Sequence, residues 1–124
     1  MASSSGRDVE APPGPVIVVT GTSGAGKGTI ERILLERNPE LELAVSATTR
    51  PRRPNEVDGK HYWFLSDEEF DRRLAEKGFH EYVTFPWGQR SGTLRSEIDR
   101  IRAAGRGPLL DLEIPIRHVP GDFL

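Results

Sequence analysis

The stretch Val16 to Leu35, VIVVTGTSGAGKGTIERILL, decides how this chain folds. It begins with a run of β-branched apolar residues, Val16 to Val19, which suits a strand that is covered on both faces, as in a parallel sheet. Glycines then allow a tight turn whose backbone N–H groups point inward, and an amphipathic helix follows. The free N–H groups and the dipole at the start of such a helix favour an anion.

The turn has the spacing of a phosphate-binding P-loop, G-x-x-x-x-G-K. Gly21, Gly26 and Lys27 occupy its fixed positions, and Lys27 supplies a positive charge for the terminal phosphates of a nucleotide. Gly28 stands where the strict pattern has a hydroxyl residue, and the hydroxyl comes one position later, at Thr29. The order of strand, turn and helix argues against a chance glycine-rich hairpin. The sequence therefore predicts a site for nucleotide phosphates.

The composition excludes several other classes of protein. A chain of 124 residues has the size of one domain, and its net charge of -2 gives no case for nucleic-acid binding. The absence of cysteine excludes disulfides and cysteine-ligated metals and fits a cytoplasmic location. No apolar run approaches the roughly 20 residues that span a bilayer, so no membrane partner is expected. Residues 1–15, rich in small, charged and proline residues, are expected to form a disordered leader.

The remaining pattern predicts alternating strands and helices. The first helix is expected to end near Asn38, because Pro39 disfavours helical geometry in the residue before it. A capping box, Ser66-Asp-Glu-Glu69, predicts a helix that runs to about Lys77. Apolar residues at helical spacing predict another helix, marked by Leu94, Ile98 and Ile101. Strands are expected over 43–47, 61–65, 81–85 and 109–112, and a turn-rich loop over 87–92.

Residues 46–54, SATTRPRRP, concentrate hydroxyl and guanidinium groups on a segment that prolines stiffen. The planar fork of arginine suits bidentate binding of phosphate, and a stiff loop loses less entropy when the anion binds. In isolation, such a cluster is better explained by a solvated basic loop. Its place directly after the P-loop unit favours a second phosphate site.

Taken together, these stretches resemble guanylate kinase, the enzyme family that moves a phosphoryl group from ATP to GMP. The matching words are GTSGAGKGT, VSATTRPRRPNEVDGKHYWF, FHEY, SGT and LLDLE, in the family's order over residues 16–113. The resemblance implies an α/β fold, with a P-loop NTPase-type parallel sheet flanked by helices and a small mixed α+β GMP-binding subdomain inserted at 46–93. It also implies a core that is incomplete at the C-terminus, because the family continues beyond this point with further strands, helices and an arginine-bearing lid.

The resemblance implies roles for individual residues. The ATP phosphates are implied to lie on Gly21, Gly24, Ala25, Gly26, Lys27, Gly28 and Thr29. GMP is implied to contact Ser46, Arg50, Arg53, Tyr62, Glu81, Thr93 and Glu113. Charge on the transferring group is implied to be neutralised by Lys27, Arg50 and Arg53, and Mg²⁺ bound with ATP is implied to lie near Thr29 and Asp111. The chemistry supports Glu81, because a carboxylate accepts two hydrogen bonds from the N1–H and N2–H₂ edge of guanine, which adenine lacks.

Three departures from the family's pattern stand out. The first is Gly28 in the P-loop, and the second is Ser91, at a position where many members have a tyrosine on the GMP phosphate. The third is the tail at 114–124, IPIRHVPGDFL, which differs from the family's continuation. We therefore expect this form of the chain to turn over poorly.

Two other interpretations of the sequence stay open. One is a non-catalytic guanylate kinase-like module that binds protein ligands, although the intact P-loop argues against it. The other is a kinase for a different nucleoside monophosphate, since GAGKGT also resembles adenylate and cytidylate kinases. The sequence leaves the oligomeric state undetermined.

Overall fold

The computed structural model describes residues 15–21 and 26–113. Nearly all of the expected leader, the P-loop residues Gly24 and Ala25, and the expected tail over 114–124 lie outside the described residues. The described elements are β1 (Ile17–Gly21), α1 (Lys27–Arg37), β2 (Leu41–Leu43), β3 (Ala47–Thr48), β4 (Trp63–Phe64), α2 (Asp67–Ala75), β5 (Phe79–Thr84), β6 (Arg90–Leu94), α3 (Arg95–Ala103) and β7 (Gly107–Glu113). Among the described helices, none combines the length and the apolar character that crossing a lipid bilayer requires.

A three-stranded parallel sheet carries the P-loop side of the molecule, in the order β1-β7-β2. In its register Ile17 faces Leu109 on one side of β7, and Leu41 faces Gly107 on the other. Helix α1 contacts β1 and β2, and α3 contacts β7. The prediction of a parallel sheet flanked by helices is therefore confirmed.

A second, mixed sheet has the order β4-β3-β6-β5. Its β3 pairs with β4 in parallel, whereas β6 runs antiparallel to both β3 and β5. Helix α2 lies between β4 and β5 in the chain, so these elements form a continuous stretch from β3 to β6. This α+β arrangement falls almost entirely within 46–93, and the GMP-binding role of that range stays a prediction.

Two clusters of buried apolar side chains form the core. The first belongs to the parallel sheet and consists of Ala44, Ile98, Ile101 and Leu110, with Val16 packed against it. The second belongs to the mixed sheet and consists of Ala47, Phe70, Phe79 and Leu94, with Trp63, Leu65 and Leu74 packed against it. Because α3 and its N-cap residue supply side chains to both clusters, this helix joins the two sheets.

The start of α2 confirms the predicted capping box. The Ser66 hydroxyl accepts a hydrogen bond from the Glu69 backbone N–H at 3.1 Å, and the Glu69 carboxylate accepts one from the Ser66 N–H at 3.0 Å. The helix buries Phe70 completely. It ends at Ala75, slightly before the predicted end, and Lys77 takes the left-handed conformation with φ 59°.

The predicted coverage of β1 on both faces is wrong, and α1 does not bury its large apolar residues. Val18 is 43% exposed, so β1 is not covered on both faces in the described structure. On α1, Ile30 and Ile33 are exposed while Glu31 is buried. Lys27, at the start of the helix, forms an ion pair with Asp111 on β7, and Glu31 interacts with the same carboxylate, so this polar side of α1 lies toward the sheet.

Two predicted boundaries are also wrong. The single strand expected at 43–47 is divided into β2 and β3, which belong to different sheets, because the chain crosses from one sheet to the other at 44–46. The loop expected at 87–92 ends early, since β6 begins at Arg90 and lies between β3 and β5. Pairing with two neighbours stabilises β6, and a sequence pattern does not show such pairing.

Candidate functional site

A cleft of about 120 Å³ opens between the two sheets at the carboxyl end of β7. Crevices at the carboxyl ends of parallel strands are the usual ligand sites of α/β folds. The cleft brings together five of the residues predicted from the sequence: Lys27, Ser46, Tyr62, Asp111 and Glu113. Its remaining lining includes Leu43, Ala44, His61, Gln89 and Ser91, for which the sequence predicts no ligand role.

The described part of the P-loop is shaped for an anion. Gly26 has a left-handed φ of 81°, which glycine adopts without strain, and it is the N-cap of α1. No described side chain caps this helix start, so its first N–H groups are available to a ligand. A Cβ atom at Gly28 would have no described neighbour within 4 Å, and Thr29 is exposed beside it. Gly21 ends β1 directly before the loop.

Lys27 forms an ion pair with the carboxylate of Asp111, across the floor of the cleft. Glu31 follows one helical turn after Lys27, and the residue is 7% exposed. Burial, and next the negative charge of Asp111, raise the pKa of Glu31 to about 7, although Lys27 opposes the shift. Asp111, which lines the cleft, therefore interacts both with the ammonium group of Lys27 and with the buried carboxyl group of Glu31.

The described residues fit Mg²⁺ only if a bound phosphate supplies some of its ligands. Nowhere in residues 15–21 and 26–113 do three or more His, Asp or Glu side chains come together in a way that could hold a metal ion. Mg²⁺ usually keeps several waters and takes one or two carboxylates together with substrate phosphates. The partly exposed Asp111 carboxylate and the Thr29 hydroxyl on the first turn of α1 fit that sparse set of ligands.

Arg50 lies at the edge of the site and is held by two interactions. Its guanidinium donates to both carboxylate oxygens of Glu56, at 3.0 and 2.8 Å, and stands 5.1 Å from the centre of the Tyr62 ring. The hydrogen bonds from Arg50, followed by one from the Arg53 backbone N–H, lower the pKa of Glu56 to about 2. The guanidinium of Arg50 is therefore held beside Tyr62 in a fixed orientation, whereas Arg53 itself is exposed.

Glu81 and Thr93 face each other across β5 and β6. Thr93 is buried, and both carboxylate oxygens of Glu81 are shielded from water without a hydrogen-bond partner among the described residues. His80 approaches Glu81 only to 3.8 Å. A shielded carboxylate without donors is costly, so this position favours a ligand that supplies them. Neither residue lines the cleft directly, although Gly92, next to Thr93, does.

Comparison with known proteins places the chain in a family. The family model described as guanylate kinase matches residues 14–119. The chain belongs to the guanylate kinase family. Curated guanylate kinases agree: that of Symbiobacterium thermophilum is 47% identical over 102 residues, which cover 82% of this chain and 48% of the relative. That of a Synechococcus species is 48% identical over 101 residues, which cover 82% of this chain and 55% of the relative.

A solved guanylate kinase also has a similar fold. The crystal structure of guanylate kinase from Anaplasma phagocytophilum matches with a TM-score of 0.60 at 29% sequence identity, over 82% of this chain and 50% of that one. The chain thus spans about half the length of these three guanylate kinases, between 48% and 55%. The resemblance inferred from the motifs is confirmed at the level of the family.

The sequence predicts no role for three residues that lie in or beside the site. Glu56 fixes Arg50, and the signal for it is an opposite charge six residues along the same motif. Glu31 interacts with the cleft residue Asp111 from the face of α1 that the sequence pattern marks as polar. Glu97 binds groups next to Ser46 and Tyr62, and no pattern in the sequence indicates this.

Proposed function

We propose that this chain carries the nucleotide-binding half of a guanylate kinase, which transfers the γ-phosphoryl group of ATP to GMP and gives ADP and GDP. The observation that carries the proposal is the cleft, which joins the P-loop lysine Lys27 to Ser46 and Tyr62 of the GMP motif. The curated relatives that bear the name guanylate kinase support the choice of substrates. The cytoplasm is the compartment that we propose for this reaction.

Binding of the donor begins at the N-terminus of α1. The uncapped N–H groups of its first turn donate to the ATP phosphates, and Lys27 exchanges its ion pair with Asp111 for a phosphate oxygen. Asp111 and Thr29 would hold Mg²⁺, which supplies further neutralisation of phosphate charge when bound.

Binding of the acceptor involves the mixed sheet. Arg50, Arg53 and Tyr62 are proposed to bind the phosphate of GMP, with Arg50 already oriented by Glu56. Ser46, Glu81, Thr93 and Glu113 are proposed to contact the nucleoside, and Glu81 accepts the N1–H and N2–H₂ groups of guanine. No protein nucleophile is needed, because phosphoryl transfer depends mainly on alignment and on charge neutralisation.

The experiment is calorimetry with GMP, AMP, CMP and ATP, since binding can be measured whether or not the chain turns over. We expect wild-type protein to prefer GMP among the monophosphates. Glu81→Gln is expected to weaken GMP binding by about tenfold or more, because it loses a charged acceptor, and to leave ATP binding unchanged. The matched control is Glu76→Gln, an exposed carboxylate at the end of α2, which is expected to change neither affinity.

Three other results of the calorimetry would contradict parts of this proposal. Unchanged GMP binding in Glu81→Gln would show that Glu81 does not contact guanine. A preference for AMP or CMP would favour a kinase for another nucleoside monophosphate. A folded protein that binds no nucleotide would favour the protein-binding module.

A further inference from the structure

Glu97 lies at the junction of the two sheets. It is in the first turn of α3, and the residue is 3% exposed. Its Oε1 accepts the backbone N–H of Val45 at 2.9 Å, and its Oε2 accepts the indole N–H of Trp63 at 3.3 Å. Val45 belongs to the connector 44–46 between β2 and β3, and Trp63 begins β4. A single carboxylate thus binds two segments that are far apart in sequence.

Both contacts are adjacent to residues of the cleft. Val45 precedes Ser46, and Trp63 follows Tyr62. The Trp63 backbone N–H also donates to the Ser46 carbonyl at 2.8 Å, so the two segments bind each other as well as Glu97. Any shift of this carboxylate would therefore move Ser46 and Tyr62 together.

The carboxylate has all of its acceptor sites in use. Arg100 donates its Nη2 to Oε1 at 3.0 Å and its Nε to Oε2 at 3.1 Å. Burial by itself favours the neutral acid, but the hydrogen bonds from Arg100, Val45 and Trp63 outweigh burial and lower the pKa of Glu97. The two oxygens together accept four hydrogen bonds, whereas a glutamine side chain has one acceptor oxygen and accepts at most two.

We propose that Glu97 is a positioning residue for the GMP side of the cleft, holding the connector 44–46 and β4 so that Ser46 and Tyr62 face the same space. This inference rests on the proposed function. Glu97 does not line the cleft, so its effect passes through the two neighbouring segments. Because neither segment carries the P-loop, the effect belongs to GMP and not to ATP.

The test measures the dissociation constants of GMP and ATP for Glu97→Gln by calorimetry. The amide keeps the shape of the side chain but turns an NH₂ group toward one of the donors. We expect the dissociation constant of GMP to rise about tenfold, and that of ATP to stay within about twofold.

Glu42→Gln is the matched control for a purely structural role. Glu42 binds the outer side of the same Arg100, at 2.9 Å, and also Arg106, at 3.2 Å, without a hydrogen bond to Val45 or Trp63. We expect it to lower the free energy of unfolding without changing the ratio of the two dissociation constants. An equal ratio in both variants, or an equal loss of GMP and ATP binding in Glu97→Gln, would overturn the proposal.

Trp63→Phe provides a second, independent variant if Glu97→Gln fails to fold. It removes the indole N–H and keeps an aromatic ring in the second core cluster. We expect a selective loss of GMP binding, and less than additive losses in the double variant, because both changes break the same contact. Unchanged GMP binding in Trp63→Phe, or additive losses, would overturn the proposal.

A wild-type protein that binds no GMP would overturn the proposed function as well. Normal wild-type binding, with an unchanged ratio of the GMP and ATP dissociation constants in the variants, would overturn this inference alone.

Discussion

At the scale of single residues, the carboxyl group of Glu31 carries an electrostatic cost in the folded protein. Burial and the charge of Asp111 raise its pKa from 4.5 to about 7. An acid with a higher pKa in the folded state binds its proton more tightly there, so ionisation favours unfolding. Below pH 4.5 the group is protonated in both states and the cost is absent. The cost grows as the pH rises from 4.5 to about 7 and is fully present above that.

Glu31→Gln is expected to remove this cost. Because glutamine is neutral at every pH, the variant should match wild type at about pH 4 and exceed its free energy of unfolding by roughly 3 kcal/mol at about pH 8. Urea unfolding without nucleotide measures both values. The control is Glu36→Gln, a carboxylate on the outer face of α1 that is 67% exposed, for which a small and constant difference is expected. If Glu31→Gln raised the free energy of unfolding equally at the two pH values, the cost would not come from ionisation of Glu31.

The site shows what sequence reasoning can and cannot supply for single residues. Motifs predict Lys27, Ser46, Tyr62, Asp111 and Glu113, and the structure brings them to one cleft. No motif predicts Glu97, because its contacts join residues that are distant along the chain. Local spacing identifies groups that meet a ligand, whereas groups that position them depend on tertiary packing.

At the scale of elements, Gly92 sets the approach of β5 to β6. A Cβ at this residue would lie 2.4 Å from the Glu81 carbonyl oxygen and 2.7 Å from the Tyr82 Cβ. Those atoms belong to the paired strand, so they are unable to move aside without breaking the sheet. The close approach explains why a glycine stands in the middle of a central strand.

Gly92→Ala is expected to lower the free energy of unfolding by about 1–3 kcal/mol, the usual cost of overpacking. Chemical denaturation of the two proteins without ligand measures it. Gly28→Ala is the matched comparison, because a Cβ there meets no described atom and the residue lies within α1. Alanine at that position should leave stability unchanged or raise it by up to about 1 kcal/mol. Similar losses in the two variants would rule out the steric explanation.

The elements also differ in how well the sequence predicts them. The capping box and the apolar run of β7 are predicted correctly, because each depends on neighbours in the sequence. The pattern at β6 instead favours a loop, since Arg90-Ser-Gly-Thr-Leu94 lacks the alternation of a strand and is stabilised by pairing on both sides. The crossing at 44–46 has no turn signal in the sequence, because only one serine separates the apolar residues before it from Ala47. Ala44 and Ala47 nevertheless belong to two different clusters.

At the scale of the whole molecule, stability depends on β7, the middle strand of the parallel sheet. Leu109 and Leu110 are fully buried there, whereas Leu43 on the neighbouring β2 is 37% exposed. The same truncation at the two positions therefore removes very different amounts of contact.

Leu110→Ala is expected to cost about 2–5 kcal/mol, the usual range for a buried leucine, because it opens a cavity in the first core cluster. Leu43→Ala should cost less than half as much. Urea unfolding followed by circular dichroism compares the two. Equal losses of stability in the two variants would mean that the buried Leu110 contributes no more to the fold than the partly exposed Leu43.

The position of β7 also has a consequence for the synthesis of the chain. β1 and β2 each pair only with β7 in the described sheet, although both precede it by most of the described sequence. The mixed sheet, in contrast, pairs entirely within residues 47–94. Early strands whose partner is made late must close a long loop before they pair, which slows their assembly.

Pulse-labelled hydrogen exchange during refolding should therefore protect the amides of β5 and β6 before those of β1. Simultaneous protection of all three strands would contradict this order. On a ribosome, β1 would wait for residues 107–113 to emerge before it pairs, whereas all strands of the mixed sheet are made earlier. The nascent chain would then spend part of its synthesis with an ordered mixed sheet and an unpaired, apolar first strand, the form in which a chaperone would meet it.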